Sequence, residues 1–164
     1  MIMSRAFTRE DDNEALADIG DRPVSTARNL VTQAGLAHIE KMVNSLREEF
    51  AEAEKKQERE AMAIATRDLR YWQTRRENAE LSIPDADEKV VRFGMRVKLE
   101  GEDGKHVTWK IVGEDEADAH AGKISHVSPM AQAMFGKGVG DIAKVNDKEW
   151  EIVSLTVPDE FSTS

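Results

Sequence analysis

Apolar side chains recur every three or four residues between residues 30 and 81, a spacing that predicts helices with one apolar stripe. A first stripe keeps one heptad phase, and it consists of Leu36, Ile39, Val43, Leu46, Phe50 and Ala53. A second stripe follows in a shifted phase, and it consists of Met62, Ala65, Leu69, Trp72, Arg76 and Ala79. The phase shift predicts two helices that fold back on each other, because a continuous coiled coil keeps one phase.

The turn of this helical hairpin is expected near residues 55–60, and Thr32 is expected to cap the first helix. The sequence of the turn, KKQERE, contains no Gly or Pro that would force a reversal. A single long helix that pairs with a second chain is therefore the alternative. The second helix is basic through Arg67, Arg70, Arg75 and Arg76.

Shorter apolar runs follow the linker SIPDAD, residues 82–87, and predict a β-rich domain. Strands are expected at residues 90–93, 95–100, 107–112, 123–127, 141–145 and 150–157. The sequence GEDG, residues 101–104, is a hairpin turn signal. Ser128 and Pro129 predict a short helix over residues 129–135, because Ser is a favoured N-cap and Pro suits the first turn. The fold class is therefore α+β, with a helical hairpin followed by an antiparallel sheet domain that carries one short helix.

The predicted division of the chain has four parts. Residues 1–29 form a disordered or loosely ordered tail, residues 30–84 the hairpin, residues 85–158 the C-terminal domain and residues 159–164 a second tail. The first tail is polar and lacks a periodic apolar pattern, as terminal segments without fixed structure usually do. A docking peptide is the alternative interpretation of that segment.

Composition and charge exclude several classes of protein. The formal net charge of -9 gives the chain little general affinity for phosphate backbones, so direct nucleic-acid binding is not expected. The sequence contains no Cys, which excludes disulfides, thiol catalysis and cysteine zinc sites. We expect a cytoplasmic protein, because no apolar run approaches about 18 residues and the first residues lack a signal-peptide pattern.

The polar residues form no recognisable catalytic or metal-binding motif. The histidines lack metal-ligand spacing, and they are His38, His106, His120 and His126. The acidic run GEDEAD, residues 113–118, lacks the alternating spacing of a calcium loop, and a solvated acidic turn explains it. Ser125 and Ser128 have no G-x-S-x-G context. The residues therefore predict an interaction protein that is not an enzyme and has no catalytic residue, metal or cofactor of its own.

Two segments carry a family resemblance, KIVGEDEAD at residues 110–118 and ISHVSPMAQAMFGKGVGDIAKV at residues 124–145. Both resemble the bacterial Gre family of transcription elongation and transcript-cleavage factors. VTQAGLAHIEKM, residues 31–42, and RDLRYW, residues 67–72, resemble the helical part of the same family. The resemblance implies an FKBP-like C-terminal domain that docks on RNA polymerase at the mouth of its secondary channel. It also implies that the coiled coil points into that channel.

The resemblance further implies a set of contact residues. Ser128, Pro129 and Met130 match family positions that help seat the domain on the polymerase, and Val127 stands where relatives can carry an acidic residue. We expect a monomer that meets nucleic acid only through the polymerase and binds no membrane. Any Mg²⁺ would belong to the active site of the polymerase.

The sequence departs from the family at the tip of the hairpin. Cleavage-competent members carry a G-D-L-x-E-N-A-[ED]-Y motif there, and the nearest match here is RENAEL, residues 76–81, at the far end of the second helix. The arms also look about two turns shorter, a loss of about 11 Å of reach at about 5.4 Å per turn. We therefore predict a polymerase-binding elongation regulator that does not stimulate transcript cleavage.

Two alternatives remain open from the sequence. The first is a true cleavage-stimulating factor that uses the tip glutamates Glu54, Glu58 and Glu60 in place of the missing motif. The second is a prolyl isomerase, which an FKBP-like fold permits although the fold does not imply that activity.

Overall fold

The computed structural model describes residues 19–159. Its helices are α1 (Gln33–Lys56), α2 (Arg59–Glu77) and α3 (Pro129–Met134). Its strands are β1 (Asn29–Val31), β2 (Ala79–Leu81), β3 (Arg96–Gly101), β4 (His106–Val112), β5 (Lys123–Ser125), β6 (Ile142–Val145) and β7 (Lys148–Thr156). The described residues divide into two compact units, residues 19–26 with 38–78 and residues 27–37 with 79–159.

The helical unit confirms the two apolar stripes. Its buried apolar residues are Ile39, Val43, Leu46, Ala53, Ala65 and Trp72. The ring of Trp72 makes an edge-to-face contact with His38, with ring centroids 5.6 Å apart. The second stripe differs from the prediction at two positions, since Arg75 is buried in place of Arg76 and Ala79 lies beyond the end of the helix. Position 75 shares a helix face with Trp72, because side chains three residues apart lie on the same side of a helix.

The chain reverses at Gln57 and Glu58, so the alternative of a single long helix is wrong. The reversal is a Schellman motif, in which Glu58 N donates to Ala53 O at 2.9 Å and Gln57 N donates to Glu54 O at 3.1 Å. Gln57 takes a left-handed conformation with φ of 57°, which the motif requires at this position. The turn therefore forms without Gly or Pro, because hydrogen bonds to the end of α1 compensate for the strained residue.

The second helix ends earlier than predicted. Asn78 N donates to Thr74 O at 3.1 Å and closes α2 after Glu77, whereas the linker was expected to end it at residues 82–87. Ala79–Leu81 instead form β2, which pairs in parallel with β1. This pairing was not predicted, because strands of three residues show no periodicity and their partners lie far apart in sequence.

The first predicted tail is part of the folded chain where the structure describes it. Residues 1–18 and 160–164 lie outside the described residues. Asp21 forms an ion pair with Arg70 at 3.2 Å, and Asn29 is buried in β1. The predicted domain boundary at residues 84 and 85 also differs from the division into units, because β1 and the first turn of α1 pack with the C-terminal residues.

The C-terminal unit contains a five-stranded sheet in the order β5-β4-β3-β7-β6. The neighbouring strands are antiparallel except for β4 and β5, which pair in parallel. The α+β fold class is confirmed, but the sheet is mixed rather than wholly antiparallel. Val97 and Leu99 of β3 face one side, and both are fully buried. The core that they join also contains Val91, Phe93, Ile111, Ala131, Met134, Ala143 and Ile152.

Of the predicted strands, one does not form and another is shorter than predicted. Residues 90–93 form no strand, since Val90 makes only an isolated bridge to Gly138 and the chain turns at Gly94, where φ is 88°. Strand β5 ends at Ser125 rather than at Val127, because the chain turns there toward α3.

Between residues 19 and 159, no helix combines the length and the apolar character that a membrane span requires.

Candidate functional site

The turn before α3 is closed by its own side chains. Ser128 Oγ accepts a hydrogen bond from Ala131 N at 3.3 Å, and Ser125 Oγ accepts one from Val127 N at 3.2 Å. Pro129 occupies the first turn of the helix, where an N–H would have no intrahelical partner. The prediction that Ser128 caps a helix begun by Pro129 is confirmed.

His126 stabilises this turn through contacts of its ring and its main chain. It is buried, its ring makes an edge-to-face contact with Phe93 at 5.6 Å, and its main-chain N donates to Val112 O at 2.9 Å. Gln132 Nε2 donates to the main-chain oxygen of His126 at 2.7 Å. Nothing in the sequence distinguishes His126 from the other histidines, since its role depends on a neighbour 33 positions away along the chain.

The same turn presents a short apolar surface. Ala131 and Met134 are fully buried, Pro129 is exposed and Met130 is half-buried. Val127 is 40% exposed. We call Val127, Pro129 and Met130 the apolar rim. The ring of Pro129 and the hydrogen bonds of Ser125 and Ser128 restrict the main chain of this turn, so a partner would meet a backbone with little conformational entropy to lose.

The acidic loop that precedes the rim in sequence has a structural role. Gly113 lies so close to Leu30 that a Cβ atom at this position would overlap with the main-chain oxygen of Leu30. Glu116 accepts a hydrogen bond from the hydroxyl of Thr32, whose Oγ1 also accepts from Gly35 N at 3.0 Å. Thr32 therefore caps α1 as predicted, and the Glu116 carboxylate lies where the helix dipole favours negative charge.

This arrangement corrects the interpretation of residues 113–118 as a solvated turn. The Glu116 side chain is only 10% exposed, and its second carboxylate oxygen lies 3.9 Å from Lys123 Nζ. A Cβ atom at Gly35 would come within 2.6 Å of Glu116 Oε1. Gly113 and Gly35 are thus both positions at which residues 27–37 approach the C-terminal residues closely.

The tip of the hairpin carries the three glutamates singled out from the sequence. Glu54 lies in the last turn of α1, Glu58 precedes α2, and Glu60 lies in its first turn. All three are exposed, and the side chain of Glu58 makes no capping hydrogen bond to α2. With 24 residues in α1 and 19 in α2, the arms are about 36 Å and about 28 Å long at about 1.5 Å per residue.

The described residues offer no metal site of their own. Among residues 19–159, no group of three or more His, Cys, Asp or Glu side chains is arranged to hold a metal ion. The Asp118 side chain accepts a hydrogen bond from His120 N at 3.1 Å and so caps the short helix Ala119–Ala121. The proximity of His120 to acidic residues therefore reflects a local main-chain contact.

A small hollow of about 170 Å³ lies beside Trp150. Its other lining residues are glycine or charged, and they are Gly101, Glu102, Asp103, Lys148 and Glu149. A site for a prolyl side chain would need a mostly apolar and aromatic lining. This hollow gives the prolyl isomerase alternative no support.

Comparison with known proteins finds relatives of the C-terminal residues. Residues 86–157 match the family model described as "Transcription elongation factor, GreA/GreB, C-term". The transcription elongation factor GreA of Thioalkalivibrio sulfidiphilus is 50% identical over 76 residues, which are 43% of this chain and 48% of that protein. GreA of Ralstonia nicotianae is 49% identical over 73 residues, which are 42% of this chain and 46% of that protein. The chain thus spans about half the length of the curated relatives it matches.

Solved structures give a weaker likeness over more of the chain. GreA factor homolog 1 of Thermus thermophilus is 22% identical with a TM-score of 0.39, and the match covers 79% of this chain and 99% of that chain. GreA/GreB of Nitrosomonas europaea is 18% identical with a TM-score of 0.40, and the match covers 78% of this chain and 98% of that chain.

Proposed function

We propose that this chain belongs to the GreA/GreB family, whose C-terminal model matches residues 86–157, and that it binds RNA polymerase and regulates transcription elongation. The observation that carries the proposal is the apolar rim, which lies within the family domain on a turn that its own hydrogen bonds hold rigid. In this proposal Ser128 shapes the turn, while Pro129 and Met130 contact the polymerase. The protein acts as a monomer, is not an enzyme and meets nucleic acid only through the polymerase.

The rim can be tested by adding charge to it. Pro129→Glu and Met130→Glu should each weaken binding to purified RNA polymerase by about 1–3 kcal/mol, because a carboxylate would lose its water at the interface. Pro129→Glu is the cleaner variant, since Pro129 is exposed and a Glu in the first turn of a helix is favourable.

Val139→Glu is the matched control, because Val139 is an apolar residue of the same domain that is 62% exposed and lies outside the rim. Its affinity should equal that of the wild type. If both rim variants retain full affinity with unchanged circular dichroism, the rim is not part of the interface.

We further propose that the hairpin occupies the polymerase channel without stimulating transcript cleavage. The support comes from the tip, where the reversal takes two residues and contains no acidic motif of the family's type. Two-metal hydrolysis needs a carboxylate oxygen within about 2.1 Å of Mg²⁺. The protein should therefore compete with a cleavage-competent GreA for the polymerase and reduce the shortening of backtracked RNA.

One observation favours cleavage stimulation as a second candidate function. Glu58 lies at the reversal itself, and its side chain is exposed and makes no capping hydrogen bond, so it is free to reach a metal. If the wild type shortens backtracked RNA and the combined change of Glu54, Glu58 and Glu60 to Ala abolishes that effect, the second candidate replaces the first. The control combines Glu48→Ala, Glu49→Ala and Glu52→Ala, which remove the same charge farther from the tip.

A further inference from the structure

The outer side of the five-stranded sheet, opposite the core, carries a cluster of cations. Side chains alternate along a strand, so Arg96 and Lys98 of β3 face away from the core that Val97 joins, and both are exposed. The strand register places Lys110 of β4 opposite Arg96, and Lys123 of β5 opposite Lys110. We call these four residues, Arg96, Lys98, Lys110 and Lys123, the basic face.

The cations of the basic face lie close to one another. Lys123, Lys110 and Arg96 form a row across three strands, and adjacent strands are about 4.8 Å apart. Lys98 follows two residues after Arg96 on β3, which separates them by about 6.8 Å. Like charges that lie directly opposite one another destabilise a sheet. The row therefore opposes folding, and an anion bound against it would relieve the repulsion.

The acidic loop that precedes β5 compensates one edge of the basic face. Glu116 Oε2 lies 3.9 Å from Lys123 Nζ, so this lysine is partly paired. The other acidic residues of the loop also interact within the chain, and they are Glu114, Asp115 and Asp118. In the described part of the chain, residues 19–159, neither Arg96 nor Lys98 forms an ion pair. Positive charge therefore remains uncompensated on β3.

Two glutamates bound the basic face at the other end of β3. Glu100 follows Lys98 on the same side of the strand, and Glu151 of β7 lies opposite Glu100. The Glu100 carboxylate lies 3.7 Å from His106 Nε2 of β4. The outer side of the sheet is thus basic toward the start of β3 and acidic toward its end, which limits the length of any anion that can lie along the strand.

Hydroxyl groups flank the two cations of β3. Thr108 and Ser154 lie opposite Lys98 on its two neighbouring strands, and Thr156 lies opposite Arg96. A hydroxyl can donate a hydrogen bond to an anion whose charge a neighbouring cation balances. The side chains around Arg96 and Lys98 therefore supply donors of both kinds.

We propose that the basic face binds a short acidic segment of a partner protein, an extended chain with carboxylates at alternate positions. Alternate side chains of such a chain are about 6.8 Å apart, which matches the separation of Arg96 and Lys98. The segment lies along β3 and ends before Glu100 and Glu151, which repel it. This surface is distinct from the apolar rim, because α3 packs on the core side of the sheet, and the proposal does not depend on binding to the polymerase.

A protein segment suits this surface better than single-stranded nucleic acid. Nucleic-acid surfaces of that kind combine cations with aromatic side chains on which bases stack. The two tryptophans of the sheet face the core side, since Trp109 lies opposite Val97 and Trp150 lies opposite Ala143. The net charge of -9 also repels a long polyanion more than a short one.

Titration of the isotope-labelled full chain with a synthetic peptide in which Glu and Ser alternate tests the proposal. Amide signals of residues 96–98, 108–110 and 154–156 should shift as the peptide is added, and salt should reverse the shifts. The same peptide with Gln in place of Glu should leave these signals unchanged. The proposal is wrong if the Glu peptide shifts none of these signals or if the Gln peptide shifts them equally.

Paired variants locate the binding. Arg96→Gln combined with Lys98→Gln should weaken binding of the Glu peptide severalfold, because both changes remove charge-assisted hydrogen bonds. Lys105→Gln combined with Lys148→Gln is the matched control, since it removes the same charge from exposed positions near the other end of β3. The control should bind like the wild type. Equal weakening in the two double variants would mean that net charge alone attracts the peptide and would overturn the proposal.

A single-stranded RNA of uridines provides the competing outcome. At an equal concentration of negative charge, this RNA should shift the signals of residues 96–98 and 108–110 less than the Glu peptide does. If the RNA shifts them more, the basic face is a nucleic-acid site and the proposal is overturned.

Discussion

The left-handed conformation of Gln57 at the hairpin tip leads to a prediction about stability. A non-glycine residue with a φ of 57° carries a steric cost of about 1–2 kcal/mol, because its Cβ crowds the following carbonyl. Replacing Gln57 by Gly removes this cost but adds about 0.4–1 kcal/mol of backbone entropy to the unfolded chain. The side chain of Gln57 is exposed, so its removal eliminates few packing contacts. Gln57→Gly should therefore stabilise the hairpin by about 0.5–1 kcal/mol.

Urea unfolding followed by far-ultraviolet circular dichroism measures this change, because most of the helical signal comes from α1 and α2. Lys56→Gly is the matched control, since Lys56 ends α1 in the ordinary helical conformation. There Gly should destabilise by about 0.5–1 kcal/mol. Gln57→Val should also destabilise, because a β-branched side chain tolerates the left-handed region poorly.

The two Gly variants should change the free energy of unfolding in opposite directions, and this difference tests the conformation of Gln57. If Gln57→Gly destabilises as much as Lys56→Gly, Gln57 is not left-handed in solution and the reversal does not occur at residues 57 and 58. The single long helix would then return as the alternative.

Three further predictions concern the C-terminal unit. Gly113→Ala should lower the free energy of unfolding by about 1–3 kcal/mol in urea titrations, because the new methyl group overlaps with a main-chain oxygen. Ala133→Gly, at a half-buried helix position, is the control for a change of one methyl group. The hydrogen bonds from Arg28 lower the pKa of the Glu80 carboxyl, so the small stabilisation from this pair should be present at neutral pH and be lost as the pH falls through that lowered pKa. Carboxyl titration by NMR should show the pKa of Glu80 rising in Arg28→Gln, and an unchanged value would mean that the pair is absent in solution. Ser128→Ala should cost about 0.5–2 kcal/mol through loss of the cap on α3, and Ser128→Asp should restore most of it, unless the serine does not cap the helix.

Elements with local signals could be predicted from the sequence. The stripe from Ile39 to Ala53, the cap at Thr32 and the cap at Ser128 each depend on residues within a turn or two of one another. Their spacing alone specifies which side chains meet, because helix geometry fixes the contact pattern over such distances.

Contacts between distant residues could not be predicted in the same way. The parallel pairing of Asn29–Val31 with Ala79–Leu81 joins segments about 50 residues apart, and three residues are too few for a periodic pattern. Residues 90–93 have a β-like composition, yet Gly94 turns the chain and leaves Val91 as a core residue without a strand. In both cases tertiary contacts override the local preference.

The two segments that resemble the Gre family, residues 110–118 and 124–145, contain two kinds of residue, which differ in their contacts. Gly113 and Glu116 of the first segment pack against residues 27–37, and Ser125 and Ser128 of the second close a turn. Such residues explain why the sequence keeps this fold, but their polar groups are already engaged within the chain. The apolar rim differs, because Val127 and Pro129 are exposed and Met130 is only half-buried against the core.

This division gives the two kinds of residue opposite experimental signatures. Gly113→Ala should lower stability and, at temperatures where the protein remains folded, leave affinity for the polymerase nearly unchanged. Pro129→Glu should do the reverse, lowering affinity while leaving the unfolding midpoint within the small range typical of surface substitutions. If both variants changed stability and affinity in parallel, the signature would act as one structural unit, and the assignment of polymerase contact to the rim would have no independent support.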